Sequence, residues 1–233
     1  MEVGGFYDGP PLGAHGSQGF FLPMPSPFTT LFVDLGGVLL TNAWDHIARQ
    51  RAAKHFALDQ ESLDRRHHLV FSLYEEGRLS LDEYLERAVF HEDRPFSRND
   101  FQAFMFSQSE AWPQMIELVR SLKARHGLKV VAISNEGWEL AAHRIETFAL
   151  KTFVDLFIFS CFVHCRKPDL EIYRMALDIA QVPPEAVVCI EDQPMFAEAA
   201  KSLGIRAFQH LSYAFTRKWL AGEGLSTEGG PDP

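Results

Sequence analysis

The sequence predicts an α/β protein, a parallel sheet with helices on both faces and a helical cap inserted after the first strand. Three observations carry that expectation. Short apolar runs recur along the chain, they alternate with amphipathic stretches of helical length, and the first two are separated by the 71 residues 42–112, far more than one crossover needs. Together they describe a Rossmann-like core carrying an insertion.

Residues 1–28 hold six Gly, five Pro and no Lys or Arg. They are expected to form a flexible N-terminal extension and lack the basic start of a secretory signal. The first strand, 31–33, ends at Asp34 and a Gly36-Gly37 turn. Residues 42–112 are helical in pattern at 44–56, 60–76, 81–90 and 100–106, with a capping box at Ser80-Leu81-Asp82-Glu83 and a weaker one at Ser97-Arg98-Asn99-Asp100. An insertion at that point sits at the carboxyl end of the sheet, where open α/β folds bind ligands, and reads as a cap over an active site.

The remaining core, 29–41 with 113–222, continues as helix 112–126 ending at Gly127, strand 128–134 and helix 138–147. Strand 156–160, helix 168–180 with Pro168 in its first turn, strand 186–190 and helix 195–203 ending at Gly204 follow. Strand 205–209 and helix 213–221 complete it, before a tail at 223–233. The strongest apolar run, 156–163, reads as a buried strand and is far short of the roughly 20 residues that span a bilayer.

At 233 residues and 46% hydrophobic composition the chain can bury a sizeable core. Its 22 Lys and Arg against 31 Asp and Glu give a net charge of −9, which argues against a nucleic-acid partner. Three cysteines cannot make a disulfide framework, and the Cys161-His164-Cys165 group has no second ligand pair for zinc. A reducing, cytoplasmic setting is expected, with no membrane span.

The chemistry gathers at strand ends: Asp34 after the first strand, Ser134-Asn135 after the second, Lys167 before a helix, and Glu191-Asp192 after the strand at 186–190. Alone, each such residue is commonly a helix cap or a surface charge. In a parallel sheet, however, these ends converge on one face. The segments LFVDLGGVLL, VVAISNEG, RKPDLEIY and VVCIEDQPMFAEAAKSLGI resemble, in order, the four motifs of the haloacid dehalogenase-like (HAD) hydrolase superfamily, from about residue 30 to 210. The insertion resembles that family's C1-type cap, and the nearest pattern is that of sugar-phosphate phosphatases and epoxide-hydrolase-associated phosphatase domains.

The resemblance implies that Asp34 is a nucleophile forming an aspartyl phosphate. Ser134, the Asn135 backbone and Gly37 would bind the phosphoryl group, and Lys167 would neutralise it. It implies Mg²⁺ held by Asp34, Asp192, the Gly36 carbonyl and Glu191, and a small phosphorylated metabolite as partner, a sugar phosphate favoured. Separately, a homodimer is the candidate assembly. Elementary electrostatics agrees, because a carboxylate attacks phosphorus only where cations relieve the repulsion.

One position departs from the family. The usual motif places a second Asp two residues after the nucleophile as acid and base, and here that residue is Gly36. Such groups contribute roughly 10²- to 10⁴-fold. Two alternatives follow: a 2-haloacid dehalogenase, whose halide leaves without a proton, and a binding or regulatory module with little turnover. Within the cap, Trp44, His46, His67, His68, Tyr74 and Tyr84 are candidates to face substrate, with Asp45 or His46 to replace the acid and base.

Overall fold

Five parallel strands form one sheet in the order β3-β2-β1-β4-β5 in the structure, a computed structural model that describes residues 27–227. The central strand β1 (Thr30–Val33) is buried throughout. It pairs with β2 (Lys129–Ser134) on one side and β4 (Val187–Glu191) on the other. Outside these lie β3 (Leu156–Phe159) and β5 (Arg206–Gln209). The strands are nearly continuous in apolar residues because both faces are covered.

Alternation along the strands divides the core. Leu31, Val33, Val130, Ala132 and Ile190 pack on one face against Leu118 and Leu122 of α5 (Pro113–His126), Ala141 and Ile145 of α6 (Trp138–Thr147) and Leu220 of α10 (Tyr213–Gly222). Phe32, Val131, Ile133 and Cys189 pack on the other against Ile172 and Ala176 of α8 (Leu170–Ala180) and Ala197 and Ala200 of α9 (Pro194–Ser202).

Between β1 and α5 lie four helices, α1 (His46–His55), α2 (Gln60–Glu75), α3 (Leu81–Ala88) and α4 (Arg98–Ser107). They bury their own cluster around Trp44, Tyr74, Tyr84, Leu85, Phe101 and Met105. Both expected capping boxes close, Ser80 with Glu83 and Ser97 with Asp100, and the second starts α4 two residues earlier than its apolar pattern suggests. Leu140 of α6 belongs to the insertion's cluster, and Tyr74 lies so close over Gly137 that a Cβ there would sit 1.9 Å from its ring. The insertion is thereby seated on the carboxyl end of β2.

Some expectations need correction. The apolar run 156–163 is a strand only to Phe159; α7 (Ser160–Val163) is a helical turn ended by His164 in the left-handed region. Continuous hydrophobicity reports burial and cannot separate the two geometries. Pro168 lies outside α8, because the Asp169 side chain caps the helix by accepting from Glu171 N. Phe28 and Leu225, placed in terminal segments from sequence, are buried in the main core. The rest of the expected extension, residues 1–26, and residues 228–233 of the tail lie outside the described residues. Among the described residues no helix is long and apolar enough to cross a membrane.

Candidate active site

The chain lays β2 and β3 to one side of β1 and then returns to place β4 and β5 on the other. The crevice of such a sheet opens at the carboxyl ends where the order reverses, here between β1 and β4. Asp34 follows β1, Glu191 ends β4, and Asp192 comes next.

Asp34 is buried; its backbone N–H continues the ladder to the Ile190 carbonyl at 3.0 Å, and its Oδ1 accepts from Leu35 N at 2.7 Å. The same Oδ1 lies 2.9 Å from Lys167 Nζ, which also reaches Glu191 Oε2 at 2.5 Å. Lys167 is 1% exposed. Burial alone would lower its pKa, but the Asp34 and Glu191 carboxylates outweigh that and raise it, so the ammonium stays charged. Burial, then the Asp34 carboxylate, pushes Glu191 upward. Lys167 is placed by Asn135, whose side-chain amide donates to the Lys167 carbonyl at 2.9 Å and accepts from Lys167 N at 2.8 Å.

Ser134 ends β2 buried, with Oγ 3.3 Å from Glu136 Oε1. Glu136 is ion-paired to Arg144, which also donates to the Thr41 carbonyl. Asp192 Oδ2 accepts from Gln193 Nε2 at 2.9 Å and lies 3.4 Å from Asn42 Nδ2. Gly37 adopts φ +72°, and a Cβ there would stand 2.3 Å from Asp192 Oδ2, so only glycine fits this approach.

Asp34, Glu191 and Asp192 each offer an oxygen within 4.8 Å of the others. Three carboxylates face one ammonium, an excess of negative charge that a divalent cation would balance. The all-oxygen donor set suits a hard ion such as Mg²⁺. Around them a cavity of about 480 Å³ is lined from the core by Asp34, Gly36, Ser134, Asn135, Lys167 and Asp192, and from the insertion by Trp44, Arg49, His67, His68 and Glu75.

The structure thus brings together Asp34, Gly36, Ser134, Asn135, Lys167, Glu191 and Asp192. Gly37 lies against Asp192 and lines a neighbouring groove of about 830 Å³ that shares Asn42 with this cavity. In the insertion, Tyr74 and Tyr84 are core residues stacked on each other, and the Tyr84 hydroxyl accepts from Trp44 Nε1 at 2.7 Å and meets His67 Nδ1 at 3.0 Å. His46 is exposed, beside Gln50 and Asp64 and away from the cavity. Asp45 lines the cavity, but its carboxylate caps α1 through Ala48 N. Sequence reasoning missed Asn42, Glu75, Glu136, Arg144 and Arg166. Two of these stood in the quoted motifs, Glu136 in VVAISNEG and Arg166 directly before Lys167.

Residues 28–204 match the family described as haloacid dehalogenase-like hydrolase. A phosphorylated carbohydrates phosphatase of Thermotoga maritima is 30% identical over 126 residues, 54% of this chain and 54% of its own length. The match therefore spans about half of that curated relative. A HAD family enzyme from Bacteroides thetaiotaomicron, solved with magnesium and inorganic phosphate, superposes with a TM-score of 0.68 at 20% identity, covering 81% of this chain and 99% of that one. An L-2-haloacid dehalogenase superposes at 0.57 and 17% identity, over 77% and 83%. At these identities the two structures speak for the fold, whereas the family match covers most of the chain, Asp34, Ser134, Lys167 and Asp192 included. The chain belongs to the haloacid dehalogenase-like hydrolase family.

Proposed function

We propose that this hydrolase is a Mg²⁺-dependent phosphatase that removes phosphate from a small phosphorylated metabolite, a sugar phosphate favoured, through a phosphoryl group carried on Asp34. The observation that carries this reading is the buried ammonium of Lys167, whose Nζ is set 2.9 Å from Asp34 Oδ1 beside a cluster of three carboxylates. A nucleophilic carboxylate in such surroundings suits an anionic substrate that arrives with, or meets, a divalent cation. The phosphatase named among the curated relatives supports the substrate class.

The bound ion would supply charge neutralisation at the phosphoryl oxygens and would be held by Asp34 and Asp192, with the Gly36 carbonyl completing its protein ligands. Glu191 spends Oε2 on Lys167 and accepts from Gln193 N with Oε1, which makes it foremost the counter-charge that keeps Lys167 in place. Lys167 neutralises the transferring group, Ser134 Oγ and the Asn135 backbone donate to its oxygens, and Asp34 attacks in line. The four-helix insertion acts as the cap, closing the cavity with Trp44, Arg49 and Glu75.

Gly36 favours a second reading, a 2-haloacid dehalogenase, since halide departs without a proton. Against it, the carboxylate of a haloacid would enter a site already rich in carboxylates. A panel of phosphorylated metabolites with Mg²⁺, run beside 2-haloacids, tests the choice. Phosphate release supports the phosphatase; halide release without phosphate release overturns it.

A further inference from the structure

Gly36 provides no side chain for proton transfer, yet an alkyl phosphate needs a proton on its departing oxygen and a base for the water that follows. The other titratable groups lining the cavity can be taken in turn. Asp192 belongs to the carboxylate cluster. Glu136 is locked to Arg144 and Ser134. Asp45 caps α1, and His68 is exposed at the rim. His67 is held neutral, lowered to about 3 by burial and by Arg49, with Nδ1 engaged by the Tyr84 hydroxyl.

Glu75 remains. It is the last residue of α2, 8% exposed, and lines the cavity that holds Asp34. The preceding residue, Tyr74, is pinned over Gly137, which fixes the end of α2 above the carboxyl end of β2. Glu75 Oε2 is buried without an aligned hydrogen bond and lies 2.8 Å from Arg166 Nη2.

We propose that Glu75 is the acid and base of this site, a catalytic residue supplied by the insertion in place of the one that Gly36 lacks. The proposal rests on the phosphatase reading above. In the first step the Asp34 carboxylate forms the new bond to phosphorus, the bond to the substrate oxygen breaks, and protonated Glu75 gives its proton to that oxygen. The resulting carboxylate is stabilised by Arg166. In the second step water attacks the phosphorus from the same side, Glu75 takes its proton, and the phosphorus–Asp34 bond breaks. Inorganic phosphate leaves, and both carboxyl groups return to their starting states.

The chemistry of its surroundings suits that cycle. Burial raises Glu75 to about 7, Glu136 and Glu76 push the same way, and Arg166 and Lys167 hold it from rising further. Both protonation states are therefore populated near neutrality, as a group that alternates between acid and base requires.

The test compares wild type with Glu75→Gln on an alkyl phosphate and on 4-nitrophenyl phosphate, whose leaving group needs no proton, with Mg²⁺ and rapid mixing. Glu75→Gln should lower alkyl-ester turnover by roughly 10²- to 10⁴-fold while slowing the first release of nitrophenolate less than about tenfold. The limb of the pH–rate profile near 7 should disappear with it. Glu75→Asp, one methylene shorter, should recover part of the alkyl turnover. Independently of activity, ¹³C NMR of labelled glutamate should show a carboxyl titrating near 7 in wild type and absent from Glu75→Gln. Equal loss of alkyl-ester turnover and of the first release of nitrophenolate, or an unchanged pH profile, overturns the assignment and leaves the phosphatase reading standing. A wild type that cleaves neither ester overturns both.

Discussion

Asn42 Oδ1 lies 2.5 Å from the point where a Cβ on Gly36 would stand. The side chain at the start of the insertion therefore fills the volume into which an acid/base residue at position 36 would grow. The obstacle is steric, because the left-handed backbone of this turn belongs to Gly37, at φ +72°, and not to Gly36. The blocking atom is the tip of an exposed side chain that can rotate, at the loss of its contact with Asp192. Gly36→Asp should fold, lose about 1 kcal/mol, and lose almost none when Asn42→Ala is already present. Denaturant unfolding of the four-member cycle measures this, and a coupling near zero contradicts it. In a Glu75→Gln background Gly36→Asp should also restore alkyl-phosphate turnover, by about tenfold or more.

Asp34→Asn should lower phosphate release by at least roughly 10³-fold, since removal of a covalent nucleophile leaves only binding and electrostatic catalysis. Stability should hold or rise. The substitution removes one of the carboxylates crowded around Lys167, while the ladder bond from position 34 to Ile190 is made by the backbone. Turnover near the wild-type rate, in a protein with an unchanged melting temperature, would show that the nucleophile lies elsewhere.

Mg²⁺ should raise the melting temperature as well as switch on turnover, because a cation that joins the carboxylate cluster binds only the folded chain. At a hundredfold excess over its Kd the gain is about 2.7 kcal/mol. Asp192→Asn should abolish that shift and leave the unliganded protein near its original stability, since an amide can still accept from Gln193 and Asn42. A magnesium-induced shift that survives in Asp192→Asn would remove Asp192 from the ligand set.

Much of this site was legible because its residues sit at the ends of strands. A parallel sheet carries every strand end to one face, so Asp34, Ser134 and the Glu191-Asp192 pair could be gathered from order alone, whereas Lys167 lies beyond α7, past the end of β3. The strand order was beyond the sequence, since apolar runs name no neighbours, and so was the crevice between β1 and β4. The insertion resisted more strongly. Helical period identifies a buried face, but Tyr84 and Glu75 both lie on buried faces, one in the insertion's own core and the other over the cavity that holds Asp34. What separates them is where the end of α2 lands, which is decided by Tyr74 against Gly137. Asn135 was legible as a residue and not as a device, because its side-chain hold on the Lys167 backbone crosses 32 positions.

That hold gives a further expectation. Asn135→Ala would leave the Lys167 N–H and carbonyl without their partner, at a cost of about 1–3 kcal/mol, and would loosen the ammonium beside Asp34. Turnover should fall together with stability, whereas Asn135→Asp, which keeps the acceptor for Lys167 N but loses the donor to its carbonyl, should fall between wild type and alanine. Equal stability in all three proteins, by chemical denaturation, would mean that Lys167 is placed by its ion pairs alone.

His67 contributes to the loss of stability in acid. It is 5% exposed, and burial, then the charge of Arg49, lowers its pKa from 6.5 to about 3. The hydrogen bonding agrees: the Tyr84 hydroxyl already accepts from Trp44 Nε1, so its proton points to His67 Nδ1, which must be the unprotonated nitrogen. Above pH 6.5 the folded and unfolded chains both carry a neutral imidazole and the full stability is present. As pH falls through 6.5 the unfolded chain takes up a proton that the folded one refuses, so stability declines until the folded group titrates near 3. At pH 5 the linkage costs about 2 kcal/mol. His67→Gln keeps an acceptor for the Tyr84 hydroxyl and cannot titrate. Denaturant midpoints at pH 7 and pH 5 should therefore differ less in His67→Gln than in wild type, by about 2 kcal/mol of unfolding free energy. His91, His143 and His210, also lowered chiefly by burial, shift both proteins alike and cancel in the comparison. Identical losses in the two proteins would mean that the His67 site opens to water before the fold does.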